Sequence, residues 1–250
     1  MNNLATIARI RQNLASRGVI KGNEVATQGY LRLQYDLNQS LSSFTFNVLE
    51  NQGTITPGEK RLAITDMFTI THWGLYIGRT ACSTTAPSYI PTAAQFSLMK
   101  LYTNNNPLVF TDGTARAGSL TTSQVTNAGG DNLDSLYNGF LQVTVDRERL
   151  IDGYDLRRFW RVDVAQEGNA QSQATALAKQ QVFQLEGWQG PNYGMSEVDP
   201  EITLNGVGQN DITITLPNST SFAPTTATYA NFAVLVVRGI RWQNASKLNA

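Results

Sequence analysis

The sequence predicts an all-β fold preceded by one short helix, and three observations carry that expectation. From Tyr30 onward, apolar residues recur in runs of strand length, several alternating with polar residues at a period of two. Turn-forming clusters separate the runs, at Thr56–Glu59, Thr111–Gly113, Ala128–Asp131, Ile151–Gly153 and Leu216–Asn218. Helical character is confined to the amino terminus and to Ala170–Gln181, where Ala, Gln and Lys dominate and β-branched residues are scarce. Many short strands joined by irregular polar loops make a sandwich, jelly roll or barrel rather than a parallel α/β sheet.

Asn2 or Asn3 is placed to cap a helix that starts at Leu4. Leu4, Ile7, Ile10 and Leu14, with Ala8 and Ala15, share one side at 3.6 residues per turn, and Thr6, Arg9, Asn13 and Ser16 lie opposite. Arg11 falls inside the apolar sector and interrupts it, and Gly18 and Gly22 end the helix. Strand runs follow at Tyr30–Leu37, Phe44–Val48, Arg61–Ile64, Met67–Thr71, Trp73–Ile77 and Phe96–Tyr102. Later runs are Phe140–Val145, Arg158–Val164, Ile212–Leu216, Phe232–Val237 and Ile240–Gln243. Phe44–Val48 alternates cleanly, whereas in Tyr30–Leu37 the tyrosine and the Leu31–Leu33 pair compete for faces. Two halves of similar size, each ending in a strong strand pair, fit two sandwiches in tandem, joined between Ile151 and Gln171.

Charged residues are only 15% of the 250, against about 25% in ordinary globular proteins. Polarity comes instead from 27 Thr, 21 Asn and 17 Gln. These groups hydrogen-bond to loops and neighbouring surfaces without the cost of burying charge, which suits a protein largely covered by copies of itself. A Thr-rich β protein has the same composition for a simpler reason, since Thr favours strands. The first twenty-three residues hold Arg9, Arg11, Arg17 and Lys21 and no carboxylate, leaving 15 basic against 19 acidic residues in the rest. The zero net charge therefore hides a +4 arm on a −4 body, with one surface turned to something anionic.

Cys82 is the only cysteine, which excludes an intramolecular disulfide framework. No run approaches the roughly 18 apolar residues of a membrane span, and the longest is Phe232–Val237. The amino terminus has no apolar signal core, so synthesis in the cytoplasm of a host cell is expected.

Catalytic chemistry finds little support. His72, the only histidine, sits in a strand context where a packed or hydrogen-bonded role is the ordinary one. One His and one Cys make no soft metal cluster. Glu197, Asp199 and Glu201 flank Pro200; a Ca²⁺ site there is disfavoured by the absence of EF-hand spacing, and no cofactor is expected. Asp146–Arg149 alternates in sign and reads as ion pairs on a strand edge or subunit contact. Trp188 and Tyr193 lie near the acidic loop in sequence and, with Trp242, are the candidates for a glycan-binding surface; Glu197 or Glu201 would serve a carbohydrate-active enzyme. No Gly-rich phosphate loop is present. Arg157–Arg161 mixes basic and aromatic residues as single-strand nucleic-acid surfaces do, yet fits a structural strand better. The chain is not expected to be an enzyme.

Three stretches, Phe44–Arg79, Tyr137–Val164 and Tyr229–Asn244, resemble the major capsid proteins of small tailless icosahedral bacteriophages with an internal membrane, the flavobacterial-phage type. That group belongs to the double-jelly-roll lineage that includes the adenovirus hexon. The resemblance implies two tandem jelly-roll sandwiches after a short amphipathic helix: residues 1–28 as a basic arm, 29–155 as the first jelly roll and 156–250 as the second. It implies a homotrimer whose six sandwiches form a pseudo-hexagonal tile, inter-trimer contacts, and penton and minor capsid proteins as further partners in the virion. The amino-terminal segment of such proteins lies at the base near the membrane, which gives Arg9, Arg11, Arg17 and Lys21 an anionic lipid surface to face. Nucleic acid is the poorer partner, because four charges are few for packaging and a membrane would separate shell from genome. Removal of residues 1–22 is expected to leave a folded β body. The chain is short for sixteen strands, so a count nearer eight or ten would favour a single jelly roll with insertions. The alternative from another class is a β-sandwich receptor- or glycan-binding virion or spike protein using Trp188 and Tyr193.

Overall fold

Alternating runs in the described part of the chain build two antiparallel sheets. The computed structural model describes residues 3–21, 24–81, 91–102, 133–160, 194–223 and 229–245. Helix α1 (Asn3–Ser16) precedes β1 (Val25–Asp36), β2 (Ser40–Phe46) and β3 (Met67–Ala81). Helix α2 (Ala93–Ser97) and β4 (Lys100–Tyr102) follow, then β5 (Phe140–Val145), β6 (Glu148–Asp155), β7 (Ser196–Asn205), β8 (Asn210–Ser221) and β9 (Tyr229–Gln243). One sheet runs β1-β9-β3, with β7 and β4 sharing the far side of β3; the other runs β2-β8-β5-β6. The first is four strands wide because β7 pairs with Met67–Trp73 and β4 with Ile77–Arg79.

Set β4 aside and the pairing is nested. The first strand pairs with the last (β1 with β9), β2 with β8, β3 with β7, and β5 with β6. Two further ladders, β3 with β9 and β5 with β8, join these pairs into sheets. The facing sides close on one apolar core, with Leu33, Ile70, Trp73 and Leu235 from one sheet and Phe46, Leu141, Ile212 and Ile214 from the other.

This arrangement departs from the expected tandem. Each sheet takes strands from both sides of residue 155, and Leu156 and Phe159, just past that boundary, are buried in the shared core. The described strands therefore make one sandwich, not one per half. Periodicity reports which residues face a core but not which strand lies alongside, and β1 finds its partner about two hundred residues away.

Several runs change character in the structure. Met67–Thr71 and Trp73–Ile77 are one strand with a bulge between Ile70 and His72, so the core-facing set shifts from Phe68 and Ile70 to Trp73, Leu75 and Ile77. Phe232–Val237 and Ile240–Gln243 are likewise one strand. Arg61–Ile64 contributes only an isolated bridge, Leu62 to Leu49. Phe96–Tyr102 divides into the end of α2 and β4; Thr92 and Gln95 form a capping box that starts the helix. Leu156–Phe159 is a 3-10 turn rather than the start of a strand. Leu216–Asn218 and Ile151–Gly153, expected as turns, lie inside β8 and β6. The acidic segment around Pro200, expected as a loop, is β7, which buries Val198, Ile202 and Leu204. The candidate helix Ala170–Gln181 lies outside the described residues.

Candidate functional site

The basic arm is held against the sandwich rather than hanging from it. Ile10 and Leu14, one turn apart, are buried with Ile20 against Met67, Ile240, Trp242 and Ala245, and Ile7 packs beside them. Ile7, Ile10 and Leu14 of the expected apolar stripe are thus used, whereas Ala8 and Ala15 are exposed; the receptor is the outer face of the first sheet at the start of β3 and the end of β9. Gly18, at φ +70°, takes the left-handed position that closes the helix, and the Val19 N–H returns to the Leu14 carbonyl at 2.9 Å.

Arg11, which breaks the stripe on paper, has a partner for each end of its chemistry. Its guanidinium lies 5.6 Å from the Trp242 ring centroid, and Nη2 donates to the Glu24 carbonyl at 3.0 Å. Arg9 pairs with Glu201 on β7. Two of the four arm cations thus serve to seat the helix, and Arg17 and Lys21 are exposed. Leu14→Ala is expected to cost about 2–4 kcal/mol, because it empties a site closed on Trp242 and Met67. A lowered urea midpoint with unchanged far-UV circular dichroism would show this. A midpoint within experimental error of wild type would mean that the helix does not dock.

The remaining candidate residues are placed as follows. Trp242 is fully buried and donates Nε1–H to Thr69 Oγ1 at 2.9 Å, so it offers no exposed aromatic face for a glycan. Trp188 and Tyr193 lie outside the described residues. Glu197 stands opposite His72 across the β3–β7 ladder, and Glu201 accepts from Arg9. Among the described residues no three His, Cys, Asp or Glu side chains gather as a metal site. The His72 Nδ1 is 3.1 Å from Thr71 Oγ1, and Arg238 is its other cross-strand neighbour. Arg157 donates twice to Asn138 Oδ1, at 2.8 and 3.2 Å, while Arg158 lies 5.2 Å from the Tyr154 ring centroid. Arg157 and Arg158 are thus tied to the body, while Trp160 is 43% exposed and Arg161 lies outside the described residues. Among the described residues no helix is long and apolar enough to cross a membrane.

The two outer faces differ. The first sheet is covered by α1 at one end, and at the other Phe96 of α2 packs on Phe232, with ring centroids 5.3 Å apart. Among the described residues neither α1 nor α2 packs on the second sheet. Its outward residues run in ladder register as Ser43, Thr215 and Phe140, then Thr45, Thr213 and Gln142. The Thr45 and Thr213 hydroxyls are 2.8 Å apart. The centre of this surface is hydroxyl-rich, and it becomes charged at Asp211 of β8 and at Arg149 and Asp152 of β6; composition forecasts the hydroxyls only as a total. No family model, curated protein or solved structure matches the chain.

Proposed function

We propose that the chain is a structural shell protein of an icosahedral virion, built on a jelly roll, and that it works by self-association rather than by catalysis. The carrying observation is the nested pairing, β1 with β9 outermost and β5 with β6 innermost. Rolling one long antiparallel hairpin into two sheets produces that order, and the order supports reading the described strands as a single jelly roll. The three stretches that resemble internal-membrane phage capsid proteins supply the end of β2 and most or all of β3, β5, β6 and β9, which include the inner strands β9 and β3 of the first sheet and β5 of the second, while β8 lies outside them. The hydroxyl-rich face of the second sheet supports the same reading. Uncharged hydroxyls and amides can exchange partners between inequivalent neighbours without stranding a charge.

In this reading the working unit is a homotrimer, and trimers pack side by side with penton and minor capsid proteins completing the shell. The described strands supply one sandwich per copy, so a six-sandwich tile built from them takes six copies rather than three. Arg17 and Lys21 are the arm's outward charges towards an internal anionic membrane, each worth roughly 1 kcal/mol at such a surface. Repetition over a shell multiplies that weak hold through effective concentration.

Native mass by light scattering across a salt series tests the reading. The expected result is a stable trimer of the 27.4-kDa chain, or larger particles that dissociate reversibly. A strict monomer at every concentration and salt would overturn it.

A further inference from the structure

The outer side of edge strand β1 carries Tyr30, Arg32 and Gln34 in a row, and the 56–60 turn crosses beside them. Arg32 and Lys60 exchange backbone N–H···O bonds of 2.8 Å in both directions, which locks the turn to the strand. Gly58, at φ +81°, sits at the crossing. Gln34 Nε2 is 3.6 Å, and Arg32 Nη1 and Cζ 4.0 Å, from where a Gly58 Cβ would stand. A guanidinium and an amide therefore converge on one space over an exposed glycine.

Among the described residues these groups have few protein partners. Arg32 Nε and both amide atoms of Gln34 are buried without a hydrogen bond, and Gln34 as a whole is 8% exposed. Among the described residues the guanidinium reaches one side-chain acceptor, Nη2 donating to Met99 Sδ at 3.4 Å, and sulfur is a weak acceptor. Glu59, next to Gly58 in the turn, is spent on Arg61, on the Thr56 N–H and hydroxyl, and on the Gln34 backbone N–H. Asp36 is turned to Asn38. Other cations surround the spot: Lys60 Nζ lies 4.4 Å from the Tyr30 ring centroid, and Arg238 is the cross-strand neighbour of Tyr30. Burial lowers the Arg32 pKa from its ordinary value, with Tyr30 opposing. A half-buried guanidinium without a counter-ion is costly, and an arriving oxyanion would remove that cost.

We propose that Arg32 and Gln34, over the Gly58 turn, form a carboxylate-binding site, and that its occupant is an acidic side chain of a second copy of this chain. The fork of Arg32 takes the two carboxylate oxygens and Gln34 Nε2 donates a third bond. The choice of occupant rests on the shell reading and on the −4 charge of the chain beyond its arm; the site itself does not.

The test follows the Arg32 Nε–Hε NMR signal, assigned by its loss in Arg32→Lys. Sodium acetate is titrated against sodium chloride at equal ionic strength, and the protein alone is then diluted. A saturable shift with acetate and none with chloride is expected, with the midpoint raised about tenfold in Gln34→Leu. Without acetate, the same signal should move with protein concentration in step with native mass. If Gln34→Leu does not fold, the wild-type titration decides alone. An acetate response that ignores protein concentration overturns the second-copy occupant and leaves the site. Self-association with a silent Arg32 signal overturns the site and leaves the shell reading.

Discussion

Gly239→Ala is expected to cost about 4 kcal/mol or more, enough to abolish soluble folded protein. Gly239 pairs with Ile70 on β3 immediately beside the bulge. A Cβ at this position would overlap the Thr69 carbonyl oxygen and press on the Phe68 ring at 3.0 Å. The first obstacle is backbone in the middle of a sheet, so no rotamer change relieves it, and overpacking costs there lie above the usual range of about 1–3 kcal/mol. Gly29 provides the control, since it faces Gly239 in the β1–β9 ladder. A Cβ on Gly29 meets Phe68 Cε2 at 3.4 Å and Arg241 Cβ at 3.6 Å, which are ordinary contacts. Gly29→Ala should therefore stay within about 1 kcal/mol of wild type. Urea denaturation of both variants checks this, and equal midpoints would contradict the bulge geometry.

Arg61→Met is expected to destabilise by about 3–5 kcal/mol, the loss typical of breaking a buried ion pair from one side. Arg61 and Glu59 side chains are 3% and 0% exposed. Arg61 Nε and Nη2 each meet one Glu59 oxygen at 2.9 Å, a two-pronged pairing, and the guanidinium also donates to the Gln52 and Thr54 carbonyls. One side chain thus ties together most of the long connection from β2 to β3. Its removal leaves the Glu59 carboxylate buried beside Thr56 without a counter-ion. Arg149 and Asp152 are the contrast, a pair at 3.2 Å with side chains 56% and 64% exposed. Arg149→Ala should change stability by less than about 1 kcal/mol. A small effect at Arg61, comparable with that at Arg149, would mean that the connection is not held as described.

Strand residues were legible in the sequence where a strand has one dry face, and less so where the dry face changes. On β9, Ala233, Leu235 and Val237 point into the intersheet core, while Phe232 and Val234 lie under α2 and Ile240 and Trp242 under α1. Burial on both faces explains the unbroken run Phe232–Val237. Beyond Val237 only even positions, Ile240 and Trp242, stay apolar and buried, which explains why one strand reads as two. The bulge at Thr71 splits β3 in the same way. Pro200 and its acidic neighbours disguised β7, because its buried set of Val198, Ile202 and Leu204 skips Pro200. Pairing order was not legible at all, since no local pattern couples Val25–Asp36 to Tyr229–Gln243.

The arm shows the same limit from the other side. Its helix, its stripe and its terminating glycine follow from residues within one or two turns of each other. That Arg9 and Arg11 would be used internally follows only from Glu201 and Trp242, distant in the chain. The Arg32–Gln34 site was equally hidden, because two polar residues at i and i+2 on an edge strand look like any solvated row. Only their burial, and the commitment of Glu59 to Arg61, mark them out.

Electron microscopy of the highest-mass fraction of concentrated protein tests the shell reading most directly. The predicted images are closed particles of icosahedral outline, or flat sheets of a repeating tile with three-fold symmetry. Separate monomers or irregular aggregates under all salt conditions would contradict it.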